Sequence, residues 1–266
     1  MTTPPPMPPP PADSALPENA NLELEVDGPA PQRRLTVLFR ALLLIPQFVV
    51  LFFLGIANAV VMFLGWFGAL AMGRLPEWAR RFLANYLRYG TRVNAYMYLL
   101  VDRYPPFAFD DDGYPARIEV RSGRLNRWAV LFRFLLVIPA AIVSAVLSSG
   151  WVACSFFLWI TVLIAGRTPA PVFGATAAVL RYSTRVGAYF GMLTAAYPNP
   201  KSIFGEQVVD AEQHGVPRGT RPLVLTKGAV ALTIVFLVLG VLAEVGNVAS
   251  QQMVPPPTGY HVEHGG

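Results

Sequence analysis

The sequence predicts an all-helical integral membrane protein that is built from two tandem copies of one unit. The apolar fraction is 54% and the charged fraction only 14%, a balance typical of membrane proteins. The segment 34–105 also recurs without a gap as the segment 127–198, and about 29 of the 72 paired positions are identical. One structural unit should therefore account for most of the chain.

The predicted domain boundaries follow from changes in composition along the chain. Residues 1–20 are Pro-rich and lack the charged start and apolar stretch of a signal peptide, so we expect a disordered tail. The first membrane repeat should occupy 21–116, the second 117–205, a polar linker 206–226, a C-terminal transmembrane helix 227–249, and a tail 250–266. Alternating segments at 22–26 and 117–121 precede the two copies and could pair as a small sheet.

Each copy begins with an apolar run too long for a single straight crossing. The first run, 35–72, contains one charge, Arg40, and as one helix it would reach roughly 57 Å against a hydrocarbon core of about 30 Å. One solution is a transmembrane hairpin that turns near Gly55 to Asn58, and near Ser148 to Gly150 in the second copy. In the other solution, Pro46 ends a short surface helix and one helix crosses from about Gln47 to Met72.

The distribution of basic residues favours the hairpins. With hairpins, all 21 Lys and Arg residues fall on one side of the membrane, which the positive-inside rule identifies as the cytoplasm. With single crossings, about 11 of them would face outward. The sequence therefore predicts five spans, a cytoplasmic N-terminus and an external C-terminus.

An amphipathic helix should follow each hairpin. Gly73 suits the left-handed cap of the outgoing helix, and Pro76 suits the first turn of the next one. An apolar stripe then recurs at spacings of four and three residues, as Phe82, Tyr86, Tyr89, Val93, Tyr96 and Leu100 in the first copy and as Ala175, Val179, Tyr182, Val186, Tyr189 and Leu193 in the second. Such helices should lie in the membrane surface or pack against the hairpins, with their tyrosines and with Trp66 and Trp159 as interfacial anchors.

The residues that could carry chemistry are few, so we expect neither an enzyme nor a cofactor or metal site. Cys154 lies in an apolar run, and the three histidines lie in polar segments. The acidic run that starts at Asp110 resembles part of a calcium loop, but the ligands that should follow it are absent, which favours a solvated turn. Nucleic acid is not an expected partner, because the net charge of +5 comes from arginines that serve membrane topology.

The recurrent arginines are the candidate binding residues for membrane lipids or a partner in a membrane complex. They are Arg40, Arg74, Arg88 and Arg92 in the first copy and Arg133, Arg167, Arg181 and Arg185 in the second. Arg88 and Arg92 are four residues apart and should repel each other, so an anion between them would explain the pair; anionic lipid phosphates are the obvious source. In the alternative interpretation, the arginines only obey the positive-inside rule.

The paired motifs resemble a bacterial membrane family. They are an Ile-Pro early in each apolar run, Trp66 before Gly73-Arg74-x-Pro76, and Tyr96 followed by Asp102-Arg103-Tyr104-Pro105-Pro106-Phe107. The family is catalogued as domain of unknown function 4389 and is common in actinobacteria. The resemblance covers about residues 22–205, and the second copy departs from it at Ala195-Ala196, which replace Asp102-Arg103. It implies a bacterial membrane protein and no particular activity.

The functional prediction is a non-enzymatic component of the bacterial cytoplasmic membrane. It should bind anionic lipid or a partner complex through an arginine-rich cytoplasmic face. A transporter or channel subunit is the alternative, but the predicted spans offer almost no ionisable groups to line a path.

Overall fold

The structure is a computed structural model that describes residues 22–109, 113–120, 125–204 and 225–252. The predicted N-terminal tail, the turn at Asp110 to Asp112, nearly all of the predicted linker 206–226 and the chain after residue 252 lie outside the described residues.

The two copies have the same helices with the same lengths. The first copy contains α1 (Arg34–Leu38), α2 (Arg40–Met72) and α3 (Glu77–Met97), and the second contains α4 (Arg127–Leu131), α5 (Arg133–Ala165) and α6 (Ala170–Phe190). A short 3-10 helix (Pro200–Phe204) and a last helix, α7 (Lys227–Gln252), follow. The predicted repeat is thus present in three dimensions.

The two alternating segments form a small antiparallel sheet, as predicted. β1 (Leu22–Val26) pairs with β2 (Ala116–Val120), with Leu24 opposite Ile118. Leu24 and Ile118 are buried, whereas Arg117 and Glu119 are exposed on the outer face. The sheet therefore has one apolar face that packs on the helices and one charged face.

The predicted transmembrane hairpins are wrong. α2 and α5 are each one continuous helix of 33 residues that runs through the expected turns. The small residues there make room for neighbours: a Cβ on Gly55 would lie 3.5 Å from the hydroxyl of Tyr86, and one on Gly150 would lie 1.7 Å from the carbonyl oxygen of Phe236. Small residues in the middle of an apolar helix are thus packing contacts here, as is common between membrane helices.

The chain reverses at the end of each long helix instead. Gly73 and Gly166 have φ of 68° and 66°, the left-handed conformation that glycine adopts without strain, and each caps its helix as predicted for Gly73. α3 then runs back along α2, so that Arg40 at the start of α2 donates to the carbonyl oxygen of Tyr96 near the end of α3 (2.7 Å). Each copy is therefore a helical hairpin with one apolar arm and one more polar arm.

Three residues of the predicted apolar stripe of α3 are buried against α2. Tyr89, Val93 and Tyr96 form a cluster with Leu44. Because the tyrosines are buried, they are not the interfacial anchors that the sequence suggests. On another side of α3 lies α6, and the hydroxyls of Thr91 and Thr184, 93 positions apart, meet at 3.4 Å.

The two tryptophans that recur in the repeat join the copies reciprocally. The indole N–H of Trp66 donates to the carbonyl oxygen of Val130 (3.0 Å), and that of Trp159 donates to the carbonyl oxygen of Val37 (2.8 Å). Trp66 and Trp159 are equivalent positions of the repeat, and so are Val37 and Val130. Because each copy makes the same bond to the other, a pseudo-two-fold axis relates the copies.

The glycine caps repeat the same reciprocity. The amide of Leu125 donates to the carbonyl oxygen of Gly73 (3.2 Å), and the amide of Gln32 donates to that of Gly166 (2.8 Å). The start of each long helix therefore lies beside the end of the other. α2 and α5 run in opposite directions, and the axis that relates them is perpendicular to both.

α7 packs on the second copy. It runs parallel to α6, with Gly228 beside Pro171, and antiparallel to α5, with Gly150 on Phe236 and Gly240 on Val146. In the described part of the chain, three helices are long and apolar enough to cross a membrane: Arg40–Met72, Arg133–Ala165 and Lys227–Ser250. They indicate a membrane protein, with three candidate spans in place of the five predicted ones. The predicted orientation of the two termini depended on the hairpins and stays a prediction.

Candidate functional site: the arginines of the two copies

Arg40 is buried at the junction of α1, α2 and the end of α3. Its side chain donates to the carbonyl oxygen of Tyr96 (2.7 Å) and to Oε1 of Gln32 (3.1 Å), and its Cζ lies 4.3 Å from the centre of the Tyr96 ring. Asp102 completes the site, with Oδ1 at 3.4 Å from Nη2 of Arg40. Arg40 therefore ties the start of the apolar arm to the end of the polar arm.

The carboxylate of Asp102 is held by three groups of the first copy. Besides Arg40, it accepts from the hydroxyl of Thr36 (2.7 Å) and from the amide of Arg33 (3.2 Å). Gln32 extends this network to the second copy, since its Nε2 donates to the hydroxyl of Thr168 (2.8 Å). The network fixes the entry of the chain into α2.

Arg133 takes the equivalent position in the second copy with fewer partners. Its Nη2 donates to the carbonyl oxygen of Thr194 (2.7 Å), and its Cζ lies 4.2 Å from the centre of the Tyr189 ring. Ala195 and Leu125 stand where the first copy has Asp102 and Gln32. Within the described residues, Nε and Nη1 of Arg133 have no hydrogen-bond partner.

The arginine pairs at a spacing of four lie largely within the layer formed by α3 and α6. Arg92 and Arg181 are 4% and 3% exposed, and Arg92 donates to the carbonyl oxygen of Phe109 (2.6 Å). Arg88 is half-buried and donates to Asn85 (3.2 Å), and Arg185 is also half-buried. These four side chains belong to the packing of α3 and α6.

Two of the predicted arginines, Arg74 and Arg167, are exposed directly after the glycine caps. Each lies near a second exposed arginine from the start of the other copy. Arg34 donates to the carbonyl oxygen of Ile164 (3.3 Å), beside Arg167, and Nε of Arg127 lies 3.5 Å from the Cβ position of Gly73, beside Arg74. We call these two pairs of arginines the end pairs: the first consists of Arg34 and Arg167, and the second consists of Arg74 and Arg127.

Arg34 and Arg127 are not among the arginines predicted from the sequence, although a signal was present, since the repeat itself begins with this identical pair. Among the described carboxylates, none forms an ion pair with the end pairs. Some of the most exposed apolar side chains are their neighbours: Leu35, Trp128 and Ile164 are 72%, 71% and 71% exposed. Each end of the molecule thus combines two exposed positive charges with exposed apolar groups.

The buried tyrosines lack the properties of acid–base groups. Burial raises the pKa of Tyr182 to about 12, and burial also raises the pKa of Tyr114, although nearby arginines act against it. Tyr114 is fully buried, and its hydroxyl donates to the carbonyl oxygen of Arg103 (2.8 Å). Both phenols therefore stay protonated. Tyr114 serves packing and hydrogen bonding, whereas the buried hydroxyl of Tyr182 has no hydrogen-bond partner within the described residues.

The comparison with protein families identifies both copies. A family model described as domain of unknown function (DUF4389) matches residues 34–108 and again residues 127–202. No curated protein and no solved structure matches the chain. The two matched regions cover each helical hairpin with its short leading helix. The chain belongs to the DUF4389 family, of which it carries two tandem copies.

Proposed function

We propose that the protein is a non-enzymatic component of the bacterial cytoplasmic membrane that binds anionic lipid through its end pairs of arginines. The observation that carries this proposal is the placement of four exposed arginines, two at each end, beside the most exposed apolar side chains. Acyl chains would contact Leu35, Trp128 and Ile164 while phosphates contact the guanidinium groups. Arginine suits this role because its planar fork of donors matches a phosphate.

The proposal narrows the eight arginines of the sequence prediction to those available to a lipid. Arg40 and Arg133 hold the two arms of their hairpins together, and Arg92 and Arg181 are buried in the helix layer. Arg88 and Arg185 are half-buried on the same two helices. Arg74 and Arg167 remain as the exposed members of the eight, and Arg34 and Arg127 join them. A basic residue near an anionic surface contributes about 1 kcal/mol, so each end pair should contribute about 2 kcal/mol.

Lipid retention after purification tests the proposal. The protein would be reconstituted in equal mixtures of phosphatidylglycerol and phosphatidylcholine, extracted in mild detergent, and analysed for bound lipid. The double variant R74Q/R127Q should lose much of its preference for phosphatidylglycerol, since each arginine is worth roughly a fivefold preference.

The matched control is R103Q/R117Q, which removes the same two charges from the side of the molecule that carries the sheet. It should keep the preference. Equal retention of phosphatidylglycerol by both double variants and the unmodified protein would remove lipid binding and leave a protein partner as the remaining ligand class.

A further inference from the structure

We propose that the helices lie in the plane of the membrane, immersed in a single leaflet, and do not cross it. The surface that enters the leaflet is formed by α2, α5 and α7, and the occupant of that surface is the acyl-chain layer of one leaflet. The sheet and the polar arms face the water on the same side. This placement of the whole molecule does not depend on which lipid headgroup the arginines prefer.

The direction of the two copies gives the first argument. Because the start of α2 lies beside the end of α5, a crossing arrangement would place the copies in opposite orientations. Arg34 and Arg167 would then be on one side of the membrane and Arg74 and Arg127 on the other. Such an equal division of exposed arginines gives no positive-inside bias, which crossing proteins normally have. With the helices in the plane, all four lie on one side.

The position of the sheet gives the second and strongest argument. β1, which precedes the first copy, pairs antiparallel with β2, which precedes the second, and the central pair of this register, Leu24 and Ile118, is buried on one face, so the pseudo-two-fold operation exchanges the two strands. The pseudo-two-fold axis therefore passes through the centre of the sheet, midway between the two ends of the molecule. In a crossing arrangement, the charged outer face would lie at the bilayer centre, where an ionised side chain is strongly unfavourable.

The path of the chain agrees with this position. α3 ends near the start of α2, where Tyr96 contacts Arg40, but Leu125, just before α4, is bonded to Gly73 at the far end of α2. β2 lies in the chain between these two distant points. A non-helical segment that carries Arg117 and Glu119 is unsuited to contact with acyl chains.

The sheet and the apolar arms lie on opposite faces of the polar arms. Gly90 of α3 faces Leu51 of α2. Arg92, two positions later and so about 200° around the helix, donates to Phe109 in the segment that leads to β2. One side of the molecule is therefore charged, and the other exposes apolar side chains along its length, such as Phe52, Phe53 and Phe156, which are 64%, 65% and 62% exposed. This division matches an interface between water and one leaflet.

The length of the apolar arms gives a further argument. A helix of 33 residues is roughly 50 Å long, far beyond a hydrocarbon core of about 30 Å. A helix in the plane of the membrane is under no such limit. In this placement, Arg40 and Arg133, the first residues of α2 and α5, lie at the same depth in the leaflet as the last residues of these helices.

Cysteine labelling in oriented membrane vesicles tests the placement. In a Cys154→Ser background, single cysteines would replace Arg33 beside the start of α2, Arg81 just beyond its end, and Glu119 on the outer face of the sheet, all three exposed. A membrane-impermeant maleimide should label all three in inverted vesicles and none in right-side-out vesicles. Labelling of R33C and R81C from opposite sides, or labelling of E119C only after detergent is added, would overturn the proposal.

Depth measurement is independent of the labelling pattern. Ile45, Ile56 and Phe67 lie eleven residues apart on one face of α2 and are 54%, 53% and 52% exposed. Fluorophores on cysteines at these positions, quenched by nitroxide lipids at two depths, should report equal depths. A crossing helix would instead place the middle position about 16 Å deeper than at least one of the outer positions, and that result would exclude a helix in the plane.

Discussion

Arg40 in the first copy and Arg133 in the second occupy equivalent positions, yet their polar surroundings differ. Arg40 has Asp102 at 3.4 Å and Gln32 at 3.1 Å, whereas the second copy has Ala195 and Leu125 at these places. Both arginines keep the carbonyl bond and the tyrosine ring. Both copies therefore close the hairpin with the bond from the arginine to a carbonyl oxygen and the contact of the arginine with a tyrosine ring. The carboxylate of Asp102 is an addition in the first copy.

The apolar arms differ in what covers them. α5 packs against α7 through Gly150, whereas the equivalent residue in α2 is Ala57, and α7 makes its close contacts with the second copy. In the apolar stretch of α2, only 6% of the residues are buried, against 28% in that of α5. The duplicated unit has thus been adapted in its second copy to bind a further helix, and the first copy offers the larger lipid surface.

The largest expected effect comes from Gly150→Ala. Because the new Cβ would lie 1.7 Å from the carbonyl oxygen of Phe236, α5 and α7 must separate, and overpacking of this kind costs about 3 kcal/mol. The midpoint of thermal unfolding in detergent should fall clearly. The matched control is Gly55→Ala in α2, where the nearest atom is at 3.5 Å and the better helix propensity of Ala should leave stability equal or higher. Equal losses in both variants would contradict the packing role of Gly150.

A smaller effect is expected from Asp102→Ala, which makes the first copy resemble the second. The variant leaves Arg40 buried without its carboxylate and should destabilise the protein by about 2 kcal/mol, below the usual range for buried pairs because Asp102 is 18% exposed. Chemical denaturation in detergent measures the loss.

The reciprocal change, Ala195→Asp, supplies a carboxylate to Arg133 and is the control. Since position 195 is exposed, the gain should stay within about 1 kcal/mol. If Asp102→Ala left stability unchanged while Ala195→Asp lowered it, the conclusion that a carboxylate stabilises the buried arginine would be wrong.

The repeat, the sheet and the glycine caps could be predicted because identity at a fixed shift, alternation and the Gly-x-x-Pro motif are local signals. The course of α2 could not. Gly55 and Gly150 look like turn residues in the sequence, and only the positions of Tyr86 and α7 show that they are packing contacts. The recurrence of the arginines is likewise visible in the sequence. The burial of Arg92 and Arg181 is not, because it depends on how α3 and α6 pack beneath the sheet.

The smallest expected effect concerns the first turn of α3, which differs from that of α6. Glu77 accepts hydrogen bonds from Arg80 and Arg81, and these bonds lower its pKa from an ordinary 4.5 to about 2. The second copy has Ala170, Phe173 and Gly174 at these positions. Since the pKa is lower in the folded state, the ionised carboxylate stabilises the fold above pH 4.5, and this contribution is lost as the pH falls from 4.5 through 2.

Glu77→Gln should therefore lower the midpoint of thermal unfolding slightly at pH 7 and have a much smaller effect near pH 2. The effect at pH 7 should also shrink in high salt, because the three side chains are accessible to water and ions screen them. Lys201→Gln, which removes a charge of the exposed surface without an ion pair among the described residues, serves as the control and should show no such pH dependence. A difference between Glu77→Gln and the unmodified protein that stays constant from pH 7 to pH 2 would mean that the charge of Glu77 does not stabilise this turn.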